Sequence, residues 1–342
     1  MPKHLTLLFD ALKVSGRPAL ARGLHYAQND TSTKIIQLSP NERLASPQLQ
    51  RLQPQEIKLF VGDWSGSFID PHSIAPVEPM LEVFNVNGVP ITVDEARLPM
   101  GLPKKEHIAI ILKMPRVQAS WFNLKKSKPT QNDVENIYTE FLKLELASLQ
   151  KYTQLIPGTL EAVTALREMG VKIGCTTGFP KKIVERILES VKEKGFVPDA
   201  SVAADMVKHG ARPAPHMLFE IMDEVGVQNP SEVLKAGDTV VDVGEGLAAG
   251  TWTAGMWGVS NHTGIESLEQ LSKMPPSELA ERQEHAKEIL RKSGAHYLIE
   301  GPWQLPQLVK AVNLRIEEGE TPSTELSKKA KPIILNSRVR PW

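Results

Sequence analysis

The chain has 342 residues, enough for one large α/β domain plus a smaller inserted or appended one, and its 40 basic and 40 acidic side chains balance to a formal net charge of zero. That balance provides no global field for nucleic acid or an anionic membrane and leaves only local phosphate sites, so small molecules are the expected partners. A single cysteine, Cys175, excludes an intramolecular disulfide framework and a multi-cysteine zinc site and fits a reducing compartment; no apolar run approaches the ~20 residues of a membrane span.

Residues 1–54 are expected as an N-terminal extension. Lys3, Lys13, Arg17 and Arg22 outnumber the lone acid Asp10 ahead of Asp30, and Leu5, Leu8, Phe9 and Leu12 fall at helical spacing. This is the pattern of a basic amphipathic presequence, although serine is sparse; a docked or disordered extension is the other reading. The expected location is accordingly the cytoplasm or the mitochondrial matrix. Ser39 to Gln55, rich in Pro, Gln and Arg, reads as a linker.

Lys58 to Val61 then forms a short apolar strand that runs into a turn over Gly62 to Ser67. Asp63 stands just past the strand's C-terminal end, where open α/β sheets bind ligands. It is either a reactive carboxylate or a loop aspartate that caps its own turn. A helical block follows. Pro76 to Val86 places Val77, Met80, Leu81 and Phe84 on one face, and Thr92 with Glu95 is a capping-box signature for a short helix closed by Pro99. Pro103 can occupy the first turn of a helix reaching Lys113, and Val134, Ile137, Tyr138 and Phe141 are in phase along a longer one from Asp133 to Leu149. Four helices with no strand between them predict a helical domain over residues 73–150.

From Gly158 helices and strands alternate. Strands are expected over Val171 to Thr176, Ser201 to Ala203, Val233 to Gly237, Thr253 to Val259 and His296 to Ile299, separated by helical stretches. The fold class is therefore α/β: a Rossmann-like parallel sheet over residues 55–72 and 151–316, interrupted just after Asp63 by an α-helical cap. The tail, 317–342, turns polar and then lysine-rich and is expected to be disordered.

Four strand ends offer polar groups to one crevice: Asp63, Thr176-Thr177-Gly178, Arg212, and Asp238 with Asp242. A carboxylate nucleophile, a hydroxyl beside backbone N–H groups, a fixed cation and a second carboxylate suit phosphoryl transfer through an aspartyl phosphate, with Mg²⁺ held by Asp63 and Asp238. Taken singly, Asp238 reads equally as a turn residue, Arg212 as a surface pair and Thr177 as a helix cap. Their shared position after strands, in this order, favours the joint reading.

The order of DWSGS, CTTG, ARP and GDTVVD resembles the haloacid dehalogenase superfamily. Within it, the phosphonoacetaldehyde hydrolase (phosphonatase) family is similar over roughly Ile57 to Leu314. GDWSGSFID is similar to that family's FDWAGTTVD, RLPMGLPKKEH to the cap motif RKPMGLLKxDH, IGCTTGF to IGSTTGY, and KAGDTVVDVGEG to KVGDTVSDMKEG. The resemblance implies hydrolysis of a P–C bond. Lys104 would form a Schiff base with the aldehyde, Asp63 would attack phosphorus, and the carbon would leave as an enamine. It further implies that Mg²⁺, Thr177, the Gly178 backbone and Arg212 hold the phosphonyl oxygens, that the Ser65 carbonyl is a metal ligand and that Asp242 orients its neighbours. Met100 would lie at the site, and a homodimer would form through the cap helix Pro76 to Val86.

Two features fit this independently of the family. Ser65 stands two after the nucleophile, where phosphoester-cleaving relatives carry a carboxylate; an enamine leaving group needs no proton from such an acid. Lys104 and His107 are three apart on one helix and share a face, so His107 can move protons during imine formation, whereas Lys105 points about 100° away. The family's tyrosine after TTG is Phe179 here. Two other readings stay open: a phosphatase or dehalogenase of the same superfamily using Asp63 without an imine, and a non-catalytic relative that binds a phosphorylated ligand.

Overall fold

The strand that carries Asp63 is the centre of the sheet. In the computed structural model, which describes residues 55–323 and 332–335, β1 (Leu59–Asp63) lies between β2 (Lys172–Thr177) and β4 (Val233–Gly237) in a seven-stranded, all-parallel sheet of order β3-β2-β1-β4-β5-β6-β7. The other strands are β3 (Ala200–Ala203), β5 (Trp252–Met256), β6 (Tyr297–Ile299) and β7 (Ile333–Ile334). The chain winds outward from β1 to β3 and then returns to the far side of β1 to start β4. The crevice between the C-terminal ends of β1 and β4 is thus the switch point of a doubly wound sheet, where such folds bind ligands. Register sets Asp63 opposite Thr176 and Val61 opposite Lys235.

Every residue of β1 is buried because both faces of the sheet are covered. Phe60 points into one layer, shared with Ile173, Leu234, Ile183, Ile187 and Leu308; Leu59 and Val61 point into the other, shared with Val202, Leu218 and Ile221. Four helices of the core join its strands between β1 and β5. They are α6 (Thr159–Glu168), α7 (Lys181–Glu193), α8 (His216–Val225) and α9 (Val240–Ala249).

Between β1 and α6 the chain makes a helical cap of five helices: α1 (Val77–Val86), α2 (Val93–Arg97), α3 (Lys104–Lys113), α4 (Pro115–Lys125) and α5 (Gln131–Ser148). The predicted capping box of α2 is formed: the Glu95 N–H donates to Thr92 Oγ1 at 3.2 Å, and the Thr92 N–H donates to Glu95 Oε2 at 2.8 Å. The cap has its own core, built from Val83, Phe84, Ile108, Ile111, Trp121, Ile137 and Phe141. Truncating one such side chain, as in Phe141→Ala, costs about 3–5 kcal/mol by transfer and cavity terms together.

Two expectations need correction. Helix α4 was not anticipated, since its buried side chains are only Val117 and Trp121 and the rest of it is polar or exposed. The tail was expected to be disordered, yet Ile333 and Ile334 pair with Tyr297 and Leu298 as the edge strand β7. The N-terminal extension and its proposed presequence lie outside the described residues. Among the described residues, no helix is long and apolar enough to cross a membrane.

Candidate active site

The end of β1 and the start of α9 bring three acids together: Asp63, Asp238 and Asp242 each place a carboxylate oxygen within 4.8 Å of the others, and all three are buried. Asp63 accepts the Trp64 N–H on Oδ1 at 2.6 Å and Arg212 Nη1 on Oδ2 at 2.9 Å. Asp238 follows β4 directly; its Oδ2 accepts from Ser73 Oγ at 2.8 Å and from the Asn261 N–H at 2.6 Å. Asp242 closes the N-terminal capping box of α9 with Thr239, whose hydroxyl donates to Oδ2 at 2.6 Å.

These acids differ in how their charge is met. Burial pushes Asp63 up from its ordinary value and Asp242 adds to this, against the pull of Arg212 and Lys235. Burial also raises Asp242, but Arg212 and Lys235 at 2.9 and 3.1 Å outweigh it and hold the carboxyl below its usual range. Asp238 is held well above its ordinary value by burial and by repulsion from Asp242 and Asp63, with only a hydroxyl and an N–H as partners. A buried carboxylate facing two others with no cation bonded to it fits a bound metal ion, and an all-oxygen donor set suits a hard divalent cation.

Behind the acids stands a buried network that was only partly foreseen. Arg212 was expected to grip the phosphonyl oxygens. Its guanidinium instead bonds protein on every side: Nη1 to Asp63 and Asp242, Nε to Glu245 at 2.9 Å, and Nη2 to the carbonyl and hydroxyl of Thr176 at 2.8 and 2.6 Å. With its side chain wholly buried, it braces the nucleophile and does not line the cavity. Lys235 and Glu245, not singled out in the sequence, complete the network at 3.2 Å from each other. A lysine inside the otherwise apolar strand VLKAG, and a glutamate three residues after Asp242 on one helix face, were the available signals.

The cavity in front of the acids is lined from the core by Asp63, Ser65, Thr177, Gly178 and Asp238, and from the cap by Met100, Gly101 and Lys104. Thr177 ends β2, and its hydroxyl accepts the Phe179 N–H at 3.2 Å. The space open to the centres of water-sized molecules is about 20 Å³, room for roughly one water. The cap is shut over the site. Backbone contact explains the closeness: a Cβ on Gly178 would stand 2.4 Å from the Leu102 carbonyl oxygen, and one on Gly101, at φ +91°, would stand 2.6 Å from Thr239 Oγ1.

Lys104 enters this cavity at the first turn of α3 and is buried, whereas Lys105 stays at the surface, paired with Glu135 at 2.6 Å. The Lys104 ammonium has soft neighbours: Met100 Sδ at 3.8 Å and the Phe179 ring, whose centroid is 4.9 Å away. Burial lowers its pKa to about 8, against the opposing pull of Glu145 and Asp63. His107 shares the Lys104 face, as expected, but it does not reach the cavity. Its Nε2 bonds the Ala96 carbonyl at 2.7 Å, and burial next to Lys104 holds the ring well below its ordinary pKa, hence neutral. The proton-moving role expected of His107 therefore has no direct route to a ligand in this closed form.

Comparison with known proteins bears on what this cavity is for. The sequence model of the haloacid dehalogenase-like hydrolases matches residues 57–250. Phosphonoacetaldehyde hydrolase of Paraburkholderia xenovorans is 35% identical over 268 residues, 78% of this chain and 100% of the relative, and that of Bacillus cereus is 36% identical over 265 residues, 78% and 98%. The crystal structure of a phosphonoacetaldehyde hydrolase-like protein from Oleispira antarctica superposes with a TM-score of 0.75 at 32% identity, covering 79% of this chain and 97% of the other. A doubly wound sheet with its acids at the switch point, a helical cap and matches of this extent together identify the chain as a hydrolase belonging to the haloacid dehalogenase family.

Proposed function

We propose that the protein hydrolyses the P–C bond of phosphonoacetaldehyde to acetaldehyde and phosphate. The observation that carries this reading is the burial of Lys104, delivered by the cap into the cavity that holds Asp63, with its pKa brought to about 8. An amine near neutrality adds to an aldehyde far better than an ordinary ammonium does. A phosphatase of the same fold would need no such lysine.

In this reading Lys104 forms an imine with the aldehyde, and the protonated imine becomes an electron sink. Asp63 attacks phosphorus; the electrons of the P–C bond form the C=C bond of an enamine, and the phosphoryl group stays on Asp63. The enamine is protonated at carbon and hydrolysed to acetaldehyde, which frees Lys104, and water cleaves the aspartyl phosphate. Arg212 and Lys235 hold Asp63 and Asp242 in place, and Thr177 and Gly178 face the phosphoryl oxygens. Mg²⁺ is the cofactor we infer, held by Asp63, Asp238 and the Ser65 carbonyl; when bound it neutralises phosphoryl charge so that a carboxylate can approach.

The test is acetaldehyde release by the wild type, Lys104→Arg and Asp63→Ala, together with borohydride trapping of substrate on Lys104. Both variants are expected to lose turnover by at least about 10³-fold, with Asp63→Ala still trapping the imine. An active Lys104→Arg enzyme would sink the imine and favour a hydrolase working through Asp63 alone. Ligand binding without turnover by the wild type would favour a silent relative.

A homodimer through the cap is part of the proposal. Its support is an apolar surface: Val86 at the end of α1, with Phe122 and Leu124 on α4, are all at least half exposed, and Leu124 packs beside Gly88 just past α1. A monomer in sedimentation at micromolar concentration would count against it.

A further inference from the structure

One buried cation of the cap has no part in the chemistry described above. Arg97 ends α2 and is 5% exposed, yet among the described residues every acceptor of its guanidinium is a neutral carbonyl. Nη1 donates to the His72 carbonyl at 2.9 Å and to the backbone and side-chain carbonyls of Asn261 at 3.1 and 2.8 Å, and Nη2 donates to the Ile265 carbonyl. Asn261 Nδ2 returns a bond to the Arg97 carbonyl at 3.4 Å. All of these partners lie outside the cap: His72 on the segment that leads from β1 into it, Asn261 and Ile265 in the loop after β5. Taking a guanidinium out of water with no carboxylate beside it is costly, so packing of a five-residue helix is a poor reason for its place.

The two segments that Arg97 grips are the two that hold the side chain of Asp238. Asp238 Oδ2 accepts from Ser73 Oγ, one residue after His72, and from the N–H of Asn261 itself. The first segment is in an unusual conformation: Asp70, His72 and Ser73 have φ of +52°, +70° and +50°, a left-handed region that residues other than glycine keep only where their neighbours fix them. The loop after β5 does part of the fixing, since the His72 N–H donates to the Val259 carbonyl at 2.7 Å and His72 Nδ1 bonds Thr263 Oγ1 at 2.9 Å. Arg97 joins the same two segments from the cap side. It also anchors the near end of loop 98–103, whose Gly101 and Leu102 meet the core at Thr239 and Gly178 and which leads directly to Lys104.

We propose that Arg97 is a positioning residue that couples seating of the cap to the aim of the metal-binding carboxylate Asp238. The proposal rests on the Mg²⁺ site inferred above. With the cap seated, the guanidinium fixes the backbone at His72 and clasps Asn261, and so fixes the hydroxyl and the N–H that orient Asp238 Oδ2. When the cap lifts, Arg97 leaves with it, and the left-handed segment and the loop after β5 lose their shared brace. The contact that sets Lys104 over Asp63 thus also readies the acid, and by the reciprocity of coupled equilibria cap closure and ion binding favour each other. A lysine cannot take this place, because one ammonium lacks the planar fork that spans carbonyls on two segments.

Calorimetric titration of the substrate-free protein with Mg²⁺ tests this on the wild type, Arg97→Lys, Asn261→Ala and the double variant. Arg97→Lys keeps the charge and loses the fork; Asn261→Ala breaks the clasp from the core side while leaving the backbone N–H on Asp238. Each single variant is expected to raise the Kd for Mg²⁺ about tenfold. The double variant should raise it no further than either alone, because both changes break one contact. Hydrogen exchange at 98–103 should quicken in the same variants. An unchanged Kd or unchanged exchange in either single variant, or losses that add in the double variant, would overturn the proposal whatever happens to Tm, and would leave Arg97 as a brace of the fold alone. A wild type that binds no Mg²⁺ would overturn the metal reading and this proposal together.

Discussion

Gly178 and Leu102 meet across the boundary between core and cap at a separation that leaves no space for a methyl group, with 2.4 Å between a notional Gly178 Cβ and the Leu102 carbonyl oxygen. The neighbouring atom is backbone, which cannot swing aside as a side chain can. Gly178→Ala is therefore expected to hold the cap loop away from the core and misplace Lys104 relative to Asp63. We predict at least a tenfold fall in kcat/KM with little change in Tm, measured by acetaldehyde release and thermal unfolding. Wild-type kcat/KM would mean that the loop need not close this tightly.

Lys104 links function to stability. Its folded pKa of about 8 lies below a lysine's ordinary 10.5, so between those pH values the unfolded chain binds more protons and stability rises with pH. Below about pH 8 the full penalty of burying the ammonium is present. Lys104→Met should abolish turnover while stabilising the protein at pH 7, by up to about 3 kcal/mol. Chemical denaturation at pH 7 and pH 10 checks this: the variant's advantage should shrink at the higher pH, and a variant less stable than the wild type at pH 7 would contradict it.

Arg212 holds three carboxylates at once, and its loss would leave them buried and uncompensated. Arg212→Met is expected to cost about 3–5 kcal/mol of stability in denaturant unfolding. A residue that mainly gripped substrate would raise KM and leave the midpoint near the wild type. Such a result would refute the bracing role.

The metal reading predicts that a chelator abolishes phosphate release and that added Mg²⁺ restores it. A divalent ion also relieves repulsion among Asp63, Asp238 and Asp242, so Mg²⁺ should raise Tm, with about 2.7 kcal/mol gained at a concentration 100 times Kd. Asp238→Asn keeps an acceptor for Ser73 and the Asn261 N–H and should fold normally while losing most of the Mg²⁺-dependent rise in Tm. An undiminished rise would place the ion elsewhere.

Much of the fold was legible because its signals are local. The buried strand before Asp63, the Thr92–Glu95 capping box and the alternation after Gly158 each express a preference of a few adjacent residues. The candidate site was legible in part for the same reason: Asp63 and Thr177 end their strands and Asp238 follows one, and chain order is enough to place them at one edge. Arg212 was misplaced because whether a cation faces a ligand or turns behind the nucleophile depends on packing between β1, β2 and α9. Lys235 and Glu145 were passed over because a charged residue in an apolar phase is ordinarily read as noise in the pattern. Lys235 finds its partners on other elements, Asp242 and Glu245 on α9 and Thr176 on β2, whereas the Glu145 carboxylate has no hydrogen-bond partner among the described residues. Helix α4 went unread because it buries only Val117 and Trp121, and strand β7 because Ile333–Ile334 is a very short apolar run that follows a lysine-rich stretch of the tail.

The edge strand β7 bears on how the protein must be handled. The Ile333 and Leu335 N–H groups donate to the carbonyls of His296 and Leu298, each at 3.0 Å, and Gln304 Nε2 donates to the Leu335 carbonyl at 3.0 Å. A chain ending at Glu317 would retain every residue named in the site and yet bare the backbone of β6 to any passing strand. Its expected defect is association between molecules during expression and storage, with catalysis per soluble molecule unimpaired.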